Sequence, residues 1–263
     1  MQSTASEPCP YRDIGFYSAR NSSKGALIPE IGSVIAGLCG GFLLNELHTR
    51  ALNGELFSQH ARSTRRRIWS AIQHMYLSQP AWGLADLQTA YENGPLSREF
   101  VSLLYLHYAL RDRLTFDFVT QVLWERWQTQ QINVGPQDIH ALLDRASESQ
   151  PQIRRWTEST RTRLVRHILA ALRDLGLLEG IYKKTLGQPI LPLPTAEHLL
   201  RILIAEGLRG GEVLRDPSWR LFFCTENDVA HLLSQLAQER RIRFERVGGT
   251  VVLQVPEEWS QSG

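Results

Sequence analysis

The sequence predicts a mainly α protein: an N-terminal helical bundle followed by a helical C-terminal region with small, winged-helix-like β-hairpins. Three observations carry this expectation. Apolar residues recur at helical spacing over 26–147, with breaks at Gln79-Pro80, Asn93-Gly94-Pro95 and Gly135-Pro136. Two alternating runs, Arg241-Ile242-Arg243-Phe244-Glu245-Arg246 and Thr250-Val251-Val252-Leu253-Gln254-Val255, flank Gly248-Gly249, the pattern of a hairpin. The order of helix then basic hairpin occurs twice. It appears first over 177–191, where Lys183 and Lys184 precede a turn and a strand, and again after a helix over 226–239.

Taken in order, residues 1–24 mix Ser, Pro and Gly without a period and are expected to be a flexible tail. Residues 25–149 read as an all-α domain, and 150–263 as an α+β domain with the winged-helix-like hairpins. The uncharged run 31–45 holds Gly32, Gly37, Gly40 and Gly41 between Glu30 and Glu46. It is shorter than the roughly 20 apolar residues that cross a bilayer, so a buried helix is expected and no membrane partner. Glu7 and Asp13 lie where a signal peptide would be basic and then apolar. Cys9, Cys39 and Cys224 are odd in number and far apart, which fits a reducing compartment, and the expected location is cytoplasmic.

Within the bundle, Phe100, Leu103, Leu104 and Tyr108 share one helical face, and Phe116, Val119, Leu123 and Trp127 another. Trp124 and Trp127 at this spacing read as core, with stacking on bases the alternative. His107, inside an apolar helix, is expected to be a hydrogen-bonded core residue.

Charge is where the sequence speaks about function. The net charge is only +2, yet 151–173 carries Arg154, Arg155, Arg161, Arg163, Arg166 and Arg173 against the single acid Glu158. Leu164, Val165, Ile168, Leu169, Leu172 and Leu175 fall on one helical face, and Arg163, Arg166 and Arg173 on the opposite one. Thr157 or Ser159 is the expected cap, leaving backbone N–H groups beside Arg154, Arg155 and Arg161. Local cationic density of this kind suits a polyanion, and a solvated arginine face on an ordinary helix is the alternative. A second cluster, Arg62, Arg65, Arg66 and Arg67, opens a helix that Ser63 or Thr64 is expected to cap, and Ile68, Trp69 and Ile72 lie on its buried side. The third comprises Arg240, Arg241, Arg243 and Arg246 on the last hairpin, with Lys183 and Lys184 by the first. Only Lys24, Lys183 and Lys184 are lysines, so the cations are nearly all arginine, the residue suited to bidentate phosphate contact.

Catalytic signatures are missing. The eight histidines are scattered without metal-ligand spacing, Gly37, Gly40 and Gly41 lack the following Lys-Ser or Lys-Thr of a phosphate loop, and no Gly-x-Ser-x-Gly occurs. No cofactor, no metal and no enzymatic turnover are expected.

The order of segments resembles the BrxA family, a small component of the BREX (bacteriophage exclusion) defence systems. The residues that carry the resemblance are Leu27-Ile28-Pro29-Glu30-Ile31, Arg62-Ser63-Thr64-Arg65-Arg66-Arg67-Ile68, Trp156-Thr157-Glu158-Ser159-Thr160-Arg161 with Leu164, Leu175-Gly176-Leu177-Leu178, and the Asp228-Val229 helix with the 241–249 hairpin. The glycine-rich 32–61 region is longer than the family pattern. The resemblance implies a mostly helical, non-enzymatic protein that binds double-stranded DNA and works with other BREX proteins. On that reading the three clusters are phosphate contacts with little sequence preference. An adaptor whose arginines meet acidic faces of partner proteins is the second reading.

Overall fold

The computed structural model describes residues 11–23, 25–248 and 250–260. The expected fold class holds: helices dominate, with two small antiparallel sheets. A 3₁₀ turn (Arg20–Ser23) leads into α1 (Ile28–Cys39), α2 (Leu44–Asn53) and α3 (Arg62–Ile72), which runs on into a π turn (Gln73–Leu77). Helices α4 (Ala81–Glu92) and α5 (Arg98–Leu110) follow, then a rod of α6 (Arg113–Asp117), a π turn (Phe118–Leu123) and α7 (Trp124–Gln128). The rod is followed by β1 (Asn133–Val134), α8 (Pro136–Ala146), a 3₁₀ turn (Pro151–Arg155), α9 (Glu158–Asp174), β2 (Leu178–Glu179) and β3 (Lys184–Leu186). The chain continues through α10 (Leu193–Ala205), α11 (Gly211–Arg215), a 3₁₀ turn (Pro217–Phe222), α12 (Glu226–Gln238), β4 (Arg243–Val247), β5 (Thr250–Gln254) and α13 (Glu257–Ser260).

The expected breaks fall between helices: α4 begins after Pro80, Asn93 and Gly94 separate α4 from α5, and Gly135 precedes α8 with Pro136 at its first position. Helix α5 is apolar all round and lies at the centre of the molecule, with every residue from Ser102 to Leu110 buried. It ties early and late segments together. Ser102 and Thr195 hydroxyls meet at 2.7 Å, and the Tyr105 hydroxyl donates to the Leu221 carbonyl at 2.7 Å. One cluster of buried side chains runs from Tyr11 to Trp259, across the composition change at 149/150. Trp124 and Trp127 pack against that cluster, and Trp127 stacks on Phe223 at 4.9 Å, in line with their reading as core.

Several expectations are corrected. Of the expected tail, residues 11–23 are not loose: Tyr11 and Tyr17 are buried, the Tyr17 hydroxyl donates to Asp117 at 2.9 Å, and Arg12 is clamped by Glu206 and Asp216. The other residues of 1–24 lie outside the described residues. The stretch expected to be all α contributes a strand, because β1 supplies the edge of a sheet whose other strands lie some fifty residues further on. The 31–45 run is not one helix: α1 ends at Cys39 and α2 begins at Leu44. It turns at Gly41, whose φ of +85° favours glycine, and Phe42 and Leu43 are exposed. Neither Ser63 nor Thr64 caps α3, which starts one residue earlier: Ala61 precedes it, and its carbonyl accepts from Thr64 and Arg65 at 2.9 Å. His107 is buried but not satisfied, since its Nε2 has no hydrogen-bond partner among the described residues. Burial, helped by His198 and Arg111, holds its pKa well below the ordinary value, so the ring is neutral.

Candidate nucleic-acid interface

Strand β3 pairs antiparallel with both β1 and β2, giving the order β1-β3-β2 with α8 and α9 between the first strand and the last two. Helix α9 packs on α8 and on β2 through Leu164, Val165, Ile168, Leu169 and Leu172, as the 3.6-residue period requires. Thr157 caps it, its hydroxyl accepting from the Thr160 N–H at 3.2 Å. The opposite face is the cationic one.

The arginines of that region differ in how far they are free to meet a ligand. Arg155, Arg163 and Arg166 are exposed and form no ion pair among the described residues; the Arg163 Nε donates only to the Ser159 carbonyl at 3.3 Å. Arg154 donates to the Ser147 carbonyl at 3.0 Å, which holds it against the end of α8. Arg161 pairs with Asp144, and Arg173 pairs with Asp174 at 2.6 Å. The local surplus of charge is therefore concentrated in Arg154, Arg155, Arg163 and Arg166, and the contributions of Arg161 and Arg173 are partly cancelled.

The first hairpin differs from its expected form. Lys184 is the opening residue of β3, Lys183 lies in the turn between β2 and β3, and the segment after Gly187 is irregular. Lys184 folds back to the Ile181 carbonyl at 2.7 Å, and Lys183 is exposed. The turn carries a residue the sequence reading passed over: Tyr182 is 97% exposed, next to the exposed Ile181. Its signal was there, an aromatic beside two lysines between strand-like runs.

The second hairpin is as expected in place and pairing, from Arg243↔Gln254 to Val247↔Thr250. Gly248 has a φ of +58°, and Gly249 lies outside the described residues. Its arginines are mostly compensated. Arg241 pairs with Glu197 and with Glu239 at 2.9 Å, Arg243 with Glu245 at 2.8 Å, and Arg246 with Glu226 at 3.0 Å. Only Arg240, exposed at the end of α12, forms no ion pair there among the described residues.

The α3 cluster leaves Arg62, Arg66 and Arg67 exposed, whereas Arg65 is partly buried with its guanidinium against Gly54. The structure adds Arg20 to this cluster, next to His74 and lining one cleft with Arg67. No local signal could have shown this, because Arg20 lies about fifty residues away in a segment with no period. The 20–23 turn also packs on α9, so the α3 and α9 regions are linked through it. No helix of the described residues is long and apolar enough to cross a membrane.

A family model described as BrxA matches residues 16–202. The match takes in the α3 cluster, α9 and the first hairpin, and stops before the Asp228-Val229 helix and the 241–249 hairpin. No curated protein matches the chain. Among solved structures, an uncharacterized protein from Magnetospirillum magneticum is similar in fold, with a TM-score of 0.60 at 15% identity over 80% of this chain and 100% of that one.

Proposed function

The chain belongs to the BrxA family, which makes it a BREX-associated protein, and we propose that it binds double-stranded DNA, without turnover, through α9 and the β2–β3 turn. The observation that carries the reading is an order of elements. Strand, helix, helix and hairpin, with the hairpin's second strand central in a β1-β3-β2 sheet, is an order that supports a winged-helix reading. In that arrangement α9 is the second helix of a helix-turn-helix, the one that enters the major groove. The β2–β3 turn is the wing, and it presents Tyr182 and Lys183. The sequence α10, α11, α12, β4, β5 repeats the order without the first strand, which supports a second, related unit.

Arg155, Arg163 and Arg166 supply the phosphate contacts. Arg163 and Arg166, at helical spacing on α9 with no Asn or Gln on that helix, suit backbone oxygens better than base edges, so sequence preference is weak. The adaptor reading rests on a different surface. The ion-paired arginines of β4 and the 78%-exposed Val247 at its end are less suited to a polyanion and more to a protein face. Fluorescence anisotropy with a labelled duplex of arbitrary sequence, over a salt series and with unlabelled unrelated duplex as competitor, separates the two. DNA binding requires steep loss with salt and full competition. A partner captured in fixed ratio after nuclease treatment, with no duplex binding at low salt, would leave the adaptor reading standing.

A further inference from the structure

The 3₁₀ turn at 20–23, α3 and the π turn at 73–77 enclose a cleft of about 450 Å³ that neither the winged-helix arrangement nor the sequence reading accounts for. Arg67, Ser70 and His74 recur at three- and four-residue spacing and so face one way, and Arg20 closes the cleft from the other side. Gln73 and Ser78 complete it, and no carboxylate is among its described lining residues. Two guanidiniums, an imidazole and the Ser70 hydroxyl lining an open cleft form a donor set for a tetrahedral oxyanion, while the Ser78 hydroxyl donates to the Gln73 carbonyl at 2.8 Å.

His74 shows how such an anion would be held. Its Nε2 meets the Arg20 guanidinium and also lies 3.1 Å from the Arg111 carbonyl. One ring nitrogen cannot accept from Arg20 and donate to that carbonyl at once. In the free protein, burial and then the charges of Arg20 and Arg111 lower the His74 pKa, with the hydrogen bond to the Arg111 carbonyl and then Asp13 acting the other way, so the neutral ring accepts from Arg20. An anion in the cleft takes over Arg20 and adds negative charge beside the ring. A protonated Nε2 then donates to the Arg111 carbonyl, so binding takes up a proton and tightens as pH falls.

We propose that the cleft between Arg20, Arg67 and His74 is a phosphate-binding pocket, and that the phosphate is one of the backbone of the duplex held by α9. The choice of a duplex backbone rests on the DNA reading above. It is favoured by the exposed Arg62 and Arg66 on the same helix as Arg67, and by the packing of the 20–23 turn on α9, which sets the cleft beside that helix.

The test follows the His74 ring resonance by NMR in the full chain. The probes are sulfate, whose charge is constant over the pH range used, and then a short duplex. Sulfate is expected to move the His74 signal saturably and more tightly at about pH 5.5 than at about pH 7.5. Arg20→Ala and Arg67→Ala, both exposed positions, are expected to weaken sulfate roughly tenfold each with the circular dichroism unchanged. His74→Gln should keep sulfate binding but lose its pH dependence. The duplex is expected to move the same resonance and to compete with sulfate. A His74 signal that sulfate leaves in place overturns the pocket, even if duplex DNA still binds elsewhere. A signal that sulfate moves while bound duplex does not overturns the duplex as the source. Failure of the DNA reading is separately visible, as no anisotropy change with duplex while sulfate still shifts His74.

Discussion

Arg12 is the point at which the early segment is locked to the rest of the fold, and its removal has a calculable cost. Its guanidinium meets both oxygens of Glu206, with Nε to Oε1 at 2.9 Å, and reaches Asp216 Oδ2 at 3.1 Å. Glu206 and Asp216 retain only 4% and 7% of their side-chain exposure. Arg12→Ala therefore removes the cation that two nearly buried carboxylates share. Removing one partner of a buried pair costs about 3–5 kcal/mol, most of it the penalty of the stranded charge. Because Arg12 keeps some exposure, the lower end applies, about 3 kcal/mol. For a chain of this size each kcal/mol lowers Tm by roughly 2–4 °C, so a fall of roughly 6–12 °C is expected. Urea and thermal unfolding of Arg12→Ala measure it, and Arg12→Lys, which keeps the charge but loses the fork, should fall between the two. Adding Glu206→Gln to Arg12→Ala should recover part of the loss, since one of the two carboxylates is then neutral. A stability change within about 0.5 kcal/mol for Arg12→Ala, the range of an ordinary surface substitution, would refute the clamp and return residues 11–23 to the status of a tail.

Other expectations follow from particular residues. The triple change of Arg155, Arg163 and Arg166 to alanine should flatten the slope of log K against log salt by about 2.7, at about 0.9 per phosphate, for every duplex alike. The same change at the ion-paired Arg241, Arg243 and Arg246 should flatten it less, and an equal effect of the two triples would contradict the distinction drawn between free and compensated arginines. Gly248→Val places a β-branched residue at a φ of +58° and should cost about 1–2 kcal/mol by urea unfolding. His107 binds a proton in the unfolded chain below about pH 6.5 but not in the fold, so the unfolded state gains protons as pH falls and stability is lost. That loss approaches about 1.4 kcal/mol per pH unit below the unfolded pKa. His107→Leu should flatten the pH dependence over that window, seen as converging Tm values of variant and wild type at low pH.

What could be read from the sequence was local. The capping Thr157, the apolar stripe of α9, the breaks at Pro80, Gly94 and Gly135-Pro136 and the β4–β5 register each depend on residues within a few positions of one another. What could not be read was assembled from afar. Strand β1 is two residues long, too short for any alternation, and exists because β3 pairs with it. Tyr11 and Tyr17 sit in a stretch whose composition suggests a tail, and their partners come from far along the chain: the Tyr11 ring lies 6.0 Å from that of Trp82 in α4, and the Tyr17 hydroxyl donates to Asp117 of α6. The arginine clusters were visible as charge, but their neutralisation was not, since Asp144 and Glu197 lie 17 and 44 residues from the arginines they meet. Arg20 completes a cleft that the α3 cluster alone only outlines.

The central claim is that α9 and the β2–β3 turn face the duplex, and photo-crosslinking tests it most directly. A photoreactive phenylalanine analogue placed at Thr162, exposed between Arg161 and Arg163, or at Tyr182, at the turn, reads contact rather than affinity. Leu96, exposed in the connection between α4 and α5, serves as the comparison position. Crosslinks to a plain duplex are expected from positions 162 and 182 at low salt, and they should disappear as salt rises and as unlabelled duplex is added. Duplex bound by the same proteins, with crosslinks absent at both positions and present at 96, would contradict the claim.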